Sequence, residues 1–533
     1  MRNGVELLRS EDATRQARHA SLDHVFEHSW RLLTARERAA LARLSVFRGG
    51  FTPDAAKSVA GAALPVLAAL ADKSLLRKEG GGGREGTRGV LHPLVHQLAG
   101  RRLGDEERAA TLAAHARHFH RLLAQLRPAV ENGDRLALDQ VQLEFENCRA
   151  AWTWAIEQRA TNALAQCAPT LMNYCDHRGS IATGVALLRQ ALESPAAAAQ
   201  PALEASLLAS VAHLHFRLDQ HAEAQAAATR AVEAARRLRD HAALALGLSV
   251  LGARALRGGE HAEARRWFEP ALKAALAGGQ RRRAAAVQHN LGLIERATGR
   301  REAARALLLE SMAGYRALGD VAGEAMCLAT LATLQWDAGD LPQATAHLKA
   351  ALEISDRHGL DRTRMVALSN LAALAIESGD HAAARSWGRR ALEIAEATGN
   401  RHFAAWMHLQ FASIALQERD LALVRSELRA SLEIALAMDR MPPLLEGVAI
   451  FSELLAATGE MLCARRLLRF VVEHPSMALP DSQGLRKRLD EWSAGAAALP
   501  AWPGLALDEL VHRIVVETPV AHASLIALLR GAA

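Results

Sequence analysis

The sequence predicts an all-α protein built from repeated helical hairpins, on three observations. Ala, Leu and Arg dominate its 533 residues, and aromatic residues make up only 4%, a mixture that favours closely packed helices. Half of the residues are apolar, which is enough to form a substantial core rather than a disordered chain. Turn residues recur every 40 positions over most of the chain, which is typical of a repeat architecture.

The N-terminal part departs from the 40-residue rhythm and is predicted to form four short helices. Apolar residues spaced for one buried helical face fall into two groups: Leu22, Phe26, Trp30 and Leu33, then Leu41, Leu44 and Phe47. Thr52 and Pro53 are typical of an N-cap and first turn, so a third helix begins there and runs to Gly61. A fourth spans about Leu64 to Lys73.

Two short strands are expected after these helices, Ser74–Lys78 and Thr87–Leu91, joined through a glycine-rich tip. Helices followed by such a hairpin predict a winged-helix domain over 21–102. No Gly-Lys-Ser or Gly-Lys-Thr follows the glycines, so we interpret the tip as a loop and not as a phosphate cradle.

DNA recognition by this domain is the alternative to a packing role. The segment Leu64–Ala71 contains only Leu, Pro, Val and Ala, whereas a recognition helix needs polar or basic side chains for the major groove. The nearby cations are Lys57, Lys73 and Arg77. We therefore expect packing, with DNA binding as the second interpretation.

Residues 103–160 are predicted to form a helical junction. Phe145, Trp152 and Trp154 indicate a buried core there. His115, His118 and His120 do not share one helical face and have no neighbouring cysteine, so we expect a solvated helix and no metal site.

A strict 40-residue period then covers 161–475, about eight units. Its turn positions are Gly179, Asp219, Gly259, Gly299, Gly339, Gly379, Arg419 and Gly459. Five residues after each turn comes a position that is small in nearly every unit: Gly184, Ala224, Ala264, Ala304, Ala344, Ala384, Val424 and Ala464. The apolar anchors eight residues before each turn are Leu171, Val211, Leu251, Leu291, Leu331, Leu371, Phe411 and Phe451.

Each unit is therefore a helical hairpin whose first helix ends at a residue that tolerates a left-handed backbone. Asp340, Asp380 and Glu260 are expected to begin the following helices. The units at Asp219 and Arg419 lack the turn glycine, so looser pairing is expected there. Stacked hairpins bury one continuous core and form a superhelix with a concave groove that suits a protein or peptide ligand.

This pattern resembles the tetratricopeptide repeat in a 40-residue form, with Leu291-Gly292, Ala304 and Leu308 at characteristic positions. Leu308 departs from the usual aromatic residue. In that family the first helix of each unit lines the concave wall, and the resemblance implies that Asn290 and Asn370 hold the backbone or carboxylate of a bound peptide. The alternative is that both asparagines merely face water. Residues 476–533 are predicted to form a C-terminal helical cap without an assigned output domain.

A second resemblance comes from His28-Ser29-Trp30, the run 44–51, Lys73-Ser74-Leu75 and Leu91-His92-Pro93-Leu94. These residues resemble bacterial signal-transduction ATPases with numerous domains, in which an ATPase domain precedes the winged helix and repeats follow it. The resemblance implies that 1–20 are the tail of an ATPase module. It also implies that His92 is a nucleotide sensor, although Pro93 departs from the family motif; a capping or packing role is the alternative.

Composition excludes several function classes. The chain has no Gly-x-x-x-x-Gly-Lys-Ser/Thr run, so we expect no ATP hydrolysis, no cofactor and no catalysis. A net charge of +6 is too small for its length to indicate nucleic acid. Five cysteines without a Cys-x-x-Cys pair suit a reducing compartment, and Glu6 and Arg9 interrupt any signal sequence, so a cytoplasmic protein without membrane contact is expected. We expect a regulatory scaffold, with an ATPase or output domain as a further partner in trans.

Overall fold

Helices dominate the described chain, which confirms the predicted fold class. The computed structural model describes residues 26–80, 88–438, 441–474, 479–494, 496–497, 499, 502, 504–515 and 519–530. The predicted ATPase tail at 1–20, Leu22 and most of the glycine-rich tip lie outside the described residues. The chain divides into two compact units between Val287 and Gln288.

The first unit begins with five short helices and one β-hairpin. In chain order these elements are α1 (26–31), α2 (Ala35–Leu44), α3 (Pro53–Ala60), α4 (Leu64–Asp72), β1 (Arg77–Glu79), β2 (Arg88–Val90) and α5 (Pro93–Gly100). The two strands are antiparallel, with Arg77 opposite Val90. Phe51 adds an isolated antiparallel bridge to Gly89, which ties the hairpin to the loop before α3.

Local capping explains where α2 and α3 begin. The Thr34 hydroxyl accepts the Glu37 amide at 3.2 Å, and the Glu37 carboxylate accepts the Thr34 amide at 2.7 Å, which together form a capping box. Thr52 accepts the Ala55 amide in front of Pro53, as predicted, and Gly61 ends α3 in the left-handed region at φ 65°.

Three further helices follow: α6 (Asp105–Glu131), α7 (Arg135–Leu143) and α8 (Phe145–Glu157). Trp152 is 1% exposed, and its indole donates to the Leu187 carbonyl at 2.9 Å. The Phe145 ring stacks on Tyr174 with centroids 5.2 Å apart. These aromatic residues therefore form a core, as the apolar pattern predicts.

Helical hairpins make up most of the remaining chain. Those of the first unit use α9 (Thr161–Arg178), α10 (Ile181–Leu192), α12 (Pro201–Arg217), α13 (His221–Leu238), α14 (His241–Arg257) and α15 (His261–Ala277), with a short α11 (Pro195–Ala198) between α10 and α12. Helix α16 (Arg281–Ala297) contains the division between the units.

The second unit continues the same pattern. Its helices are α17 (Arg301–Ala317), α18 (Val321–Asp337), α19 (Leu341–His358), α20 (Asp361–Glu377), α21 (His381–Ala397), α22 (Arg401–Gln417), α23 (Leu421–Leu436), α24 (Met441–Ala457) and α25 (Met461–Glu473). All eight predicted anchors and all eight small positions are buried, so the 40-residue pattern identifies the core of each hairpin.

The expected looser pairing at Asp219 and Arg419 is wrong. Both residues adopt φ 60°, close to the φ of 74° at Gly259 and Gly379. After the turn, the Gln220 amide donates to the His215 carbonyl at 3.0 Å, the bond that the Glu260 amide makes to Ala255 at 2.9 Å. A non-glycine residue therefore bears the strain of the left-handed turn without changing its geometry.

Aspartate caps the helices after two of the three turns singled out in the sequence. Asp340 accepts the Gln343 amide at 3.1 Å, and Asp380 accepts the Ala383 amide at 2.9 Å. Glu260 occupies the cap position but makes no side-chain capping bond, which corrects the expectation for that turn. The longer side chain does not form the short bond that aspartate makes.

Three helices complete the second unit: α26 (Leu479–Ser493), α27 (Leu507–Val515) and α28 (Pro519–Arg530). Helix α27 buries Leu510, Val511 and Ile514 in a core that also contains Leu467 and Leu468 of α25. Within the described ranges, no single helix is long and apolar enough to cross a membrane, although the bent pair α3 and α4 passes a test of length and composition.

Candidate functional site

A groove lies across the first helices of three consecutive hairpins, and within the described chain of the second unit it is the best candidate for a ligand site. It encloses about 220 Å³. Helix α16 contributes Leu293 and Arg296, and the other lining residues come from α18 and α20: Met326, Ala329, Thr330, Thr333, Arg362, Thr363, Val366 and Asn370. Only first helices line this groove.

The 40-residue period explains why these side chains meet. Met326 and Val366 occupy the same register position on α18 and α20, and so do Thr330 and Asn370 one helical turn later. Hairpins of equal length stack their first helices side by side, so residues 40 positions apart form rows across the groove.

Asn370 is one of the two asparagines that the sequence singles out, and the structure places it in the groove lining, half-buried. Asn290 is also half-buried on α16, but the groove lining does not include it. The structure therefore brings Asn370 to the site together with Thr330 of α18, which the sequence reasoning missed. The signal was present, because Thr330 lies midway between Asn290 and Asn370 in the repeat.

A buried histidine holds Thr330 in place. His289 Nε2 lies 2.9 Å from Thr330 Oγ1, and the Thr330 hydroxyl donates to the Met326 carbonyl at 3.1 Å. Because that hydroxyl proton is used by the backbone, the imidazole is the donor to Thr330. Burial lowers the pKa of His289 to about 4, so the ring is neutral at physiological pH.

The charged side chains of the lining are both cationic. Arg296 is shared with Asp337 at 2.5 and 3.3 Å, and the Arg362 guanidinium lies 3.9 Å from Met326 Sδ. No carboxylate belongs to the described lining. The groove therefore combines apolar, amide or hydroxyl, and basic groups, which can bind a polypeptide but hold no nucleophile and base pair for catalysis.

His92, the candidate nucleotide sensor, is exposed in front of α5. Its Nδ1 accepts the Leu94 amide at 3.3 Å, so it caps the helix. In the neutral ring this bond leaves the proton on Nε2, which faces away from the capping bond.

The histidines of α6 are not solvated, which corrects the prediction for His115 and His120. His115 is 2% exposed, with its ring centroid 4.6 Å from that of Phe119, and burial lowers its pKa to about 4. His120 Nε2 lies 3.0 Å from the Ala151 carbonyl, and His118 Nδ1 lies 2.8 Å from Ser58 Oγ. Across the part of the chain that the structure describes, no cluster of three or more His, Cys, Asp or Glu residues could hold a metal ion.

A buried polar network joins the N-terminal domain to the helical junction. Asn147 is fully buried and bonds to four groups: the Arg48 amide (2.6 Å), the Gly50 carbonyl (2.9 Å), the Glu144 carboxylate (2.8 Å) and His115 Nε2 (3.2 Å). Glu144 in turn pairs with Arg88 of β2. The hairpin and the loop before α3 are therefore held against α8.

Comparisons with known proteins agree with the repeat architecture. Models of the tetratricopeptide repeat match residues 283–357 and 364–402. A Mycobacterium tuberculosis protein named as an HTH-type transcriptional regulator is 30% identical over 251 residues, which are 44% of this chain and 28% of that protein, and a Mycobacterium bovis protein of the same name matches equally. The matched segment thus spans little more than a quarter of these relatives.

Solved structures with a related chain path have low identity. A signal-transduction ATPase with a tetratricopeptide repeat sensor from Pyrococcus horikoshii is 14% identical, with a TM-score of 0.44, over 89% of this chain and 67% of its own. A Rap protein complexed with Competence and Sporulation Factor is 13% identical, with a TM-score of 0.46, over 72% and 98%. These similarities are too distant to carry a functional argument. The family models, the period and the buried anchors together establish that the chain contains tetratricopeptide-type repeats.

Proposed function

We propose that the protein is a non-catalytic regulatory scaffold whose repeats bind a protein or peptide ligand in signal transduction or transcription regulation. The groove lined by first helices carries this proposal. Apolar side chains in it can bury ligand surface, while Thr330 and Asn370 can bond to a polypeptide backbone. Asn290 is proposed to extend the same contact along α16.

The chemistry of the cysteines supports a non-enzymatic function. All five are buried. Burial raises the pKa of Cys167 to about 12 and the pKa values of Cys175 and Cys327 to about 11. At neutral pH these groups are thiols, which are poor nucleophiles. Unpaired thiols also support the proposed cytoplasmic location.

The N-terminal domain over 21–102 is proposed to be a winged helix that transmits ligand occupancy to an ATPase or output domain in trans. Asn147 and its partners support this role, because they tie the domain to the junction proposed over 103–160 and hence toward the repeats. His92 is proposed as a nucleotide sensor, since its exposed Nε2–H could donate to a phosphate while Nδ1 caps α5. The proposed solenoid and cap, 161–475 and 476–533, complete this domain order.

DNA binding through the N-terminal domain is the second candidate, and the name of the mycobacterial relatives favours it. The side chains argue against it. Leu64 is 66% exposed on α4, Lys73 Nζ lies 2.7 Å from Glu37 Oε2, and Arg88 pairs with Glu144. A mobility-shift assay with random duplex DNA at low and moderate salt tests it, since phosphate contacts would make binding strongly salt-dependent.

Ligand capture from an extract of the source cells tests the main proposal. Immobilised protein is compared with two charge variants, Val366→Asp in the groove and Leu309→Asp on the second helix of a hairpin. Both residues are 38% exposed, so the substitutions are matched. We expect the same captured species with wild type and Leu309→Asp and its loss with Val366→Asp. Equal capture by all three proteins would contradict a groove-based function.

A further inference from the structure

An apolar row crosses three first helices at 40-residue intervals. Met326 and Val366 line the groove on α18 and α20, and Trp406 occupies the same register position on α22. Val366 is 38% exposed and Trp406 36%, although both are large apolar residues. Aligned apolar side chains that remain accessible are typical of a contact strip for a ligand.

A polar row runs one helical turn beside the apolar row. Thr330 and Asn370 line the groove, and Gln410 holds the same register position on α22. Gln410 Oε1 is buried, and it has no hydrogen-bond partner in the described structure. Thr330 keeps one acceptor lone pair, because its other bonds go to His289 and the Met326 carbonyl. The row therefore presents acceptors at regular intervals.

The spacing of the helices limits what can follow both rows. Packed helices lie about 8–10 Å apart, and an extended chain advances about 3.3 Å per residue, so it passes one hairpin for about every three residues. A helical ligand advances about 1.5 Å per residue and would need about six residues for the same distance.

The polar row favours the extended ligand. An extended chain has backbone N–H and C=O groups that need partners, whereas a helix satisfies its own and needs only an apolar face. Acceptors on Thr330 and Gln410 and the amide of Asn370 meet that need, and a helical ligand would leave them without partners.

Charge completes the description of the ligand. Arg296 and Arg362 border the apolar row, and no carboxylate belongs to the described lining. We infer that the groove binds an extended, acidic peptide with an apolar side chain at about every third residue. This inference rests on the proposed function and adds to it the conformation, the register and the charge of the ligand.

Selection from a random peptide library on the immobilised full chain tests the inference. The enriched sequences are read for the spacing of apolar residues and for net charge. Synthetic versions of the enriched peptides are then titrated by fluorescence anisotropy against wild type, Val366→Asp, Asn370→Ala and the matched Leu309→Asp control.

Enriched peptides with period-three apolar residues and net negative charge are the expected result, with affinity at least about tenfold lower for Val366→Asp and Asn370→Ala and unchanged for Leu309→Asp. Groove-dependent peptides with apolar residues at helical spacing, or without any spacing, would overturn this inference and leave the proposed function intact. Absence of groove-dependent enrichment would overturn the inference, and loss of ligand capture in the extract experiment would be needed to overturn the proposed function as well.

Discussion

His289 donates to the groove residue Thr330 across two neighbouring first helices, with His289 Nε2 2.9 Å from Thr330 Oγ1. The imidazole is buried, and its pKa falls to about 4 for that reason. A neutral histidine in the core therefore fixes the orientation of a hydroxyl that faces the ligand site.

Acid should destabilise the second unit through His289. The folded pKa of about 4 lies below the ordinary 6.5, so the unfolded chain binds more protons between these values. The stability from the neutral ring is then fully present above pH 6.5 and is lost as the pH falls toward 4. We expect His289 to account for about 2 kcal/mol of lost unfolding free energy between neutral pH and about pH 5, measured by urea unfolding.

His289→Gln is the variant for this measurement, because an amide can still donate to Thr330 and does not titrate. Its loss of stability on acidification should be smaller than that of wild type by about the same 2 kcal/mol. His115, whose pKa is also about 4, stays in both proteins and contributes equally. An unchanged pH dependence in the variant would contradict the assignment.

Loss of the Asn147 side chain should destabilise the first unit strongly. Asn147→Ala leaves the Arg48 amide, the Gly50 carbonyl and the Glu144 carboxylate short of partners in a buried site. We expect a decrease of about 2–4 kcal/mol in the free energy of unfolding.

Gln140→Ala serves as the control for Asn147→Ala, since Gln140 is exposed on the neighbouring α7. Hydrogen exchange adds a local measurement: amides of β2 and of the loop at 48–51 should exchange faster in Asn147→Ala than in Gln140→Ala. Equal exchange there in both variants would show that the network does not hold the N-terminal domain.

Close contact between hairpins should make Gly323 intolerant of a methyl group. A Cβ at this position would lie 2.3 Å from Tyr315 Cδ1, and Tyr315 is buried. Gly323→Ala should therefore lower stability by about 2–3 kcal/mol. The matched change Gly484→Ala meets no atom within 4 Å in α26 and should raise stability by up to about 1 kcal/mol. Thermal unfolding of the two variants should give shifts of opposite sign.

The turn at Arg419 should become more stable with glycine. Arg419 has φ 60°, a conformation that costs a non-glycine residue about 1 kcal/mol, so Arg419→Gly is expected to gain about 0.5–1 kcal/mol. The reverse change, Gly379→Ala, places a Cβ in open space at φ 74° and should lose about 1 kcal/mol from backbone strain alone. Chemical denaturation of both variants checks this, and shifts of the same sign would contradict the equivalence of the turns.

Much of the repeat region was predictable, because its period links residues that are near in sequence. Burial of Leu291 and Leu331, the turn at Gly339 and the caps at Asp340 and Asp380 all follow from local spacing. Asn370 was found through the same register.

Contacts between distant segments were not predictable. Arg48 and Asn147 are 99 residues apart, so no periodicity relates them. The burial of His115 depends on Phe47 packing against α6, and the spacing of histidines along one helix contains no information about that neighbour. Thr330 and Gln410 were overlooked because their side chains differ from asparagine, although the repeat places them in the same row.

Site-specific photo-crosslinking tests the central claim, ligand binding in the groove, most directly. A photoreactive amino acid is placed at Val366 or at Leu309, two positions of equal exposure, and the protein is irradiated in its own cell extract. The account predicts one dominant crosslinked protein or peptide at position 366 and none of that species at position 309. The same crosslinked species at both positions, or at 309 alone, would contradict it.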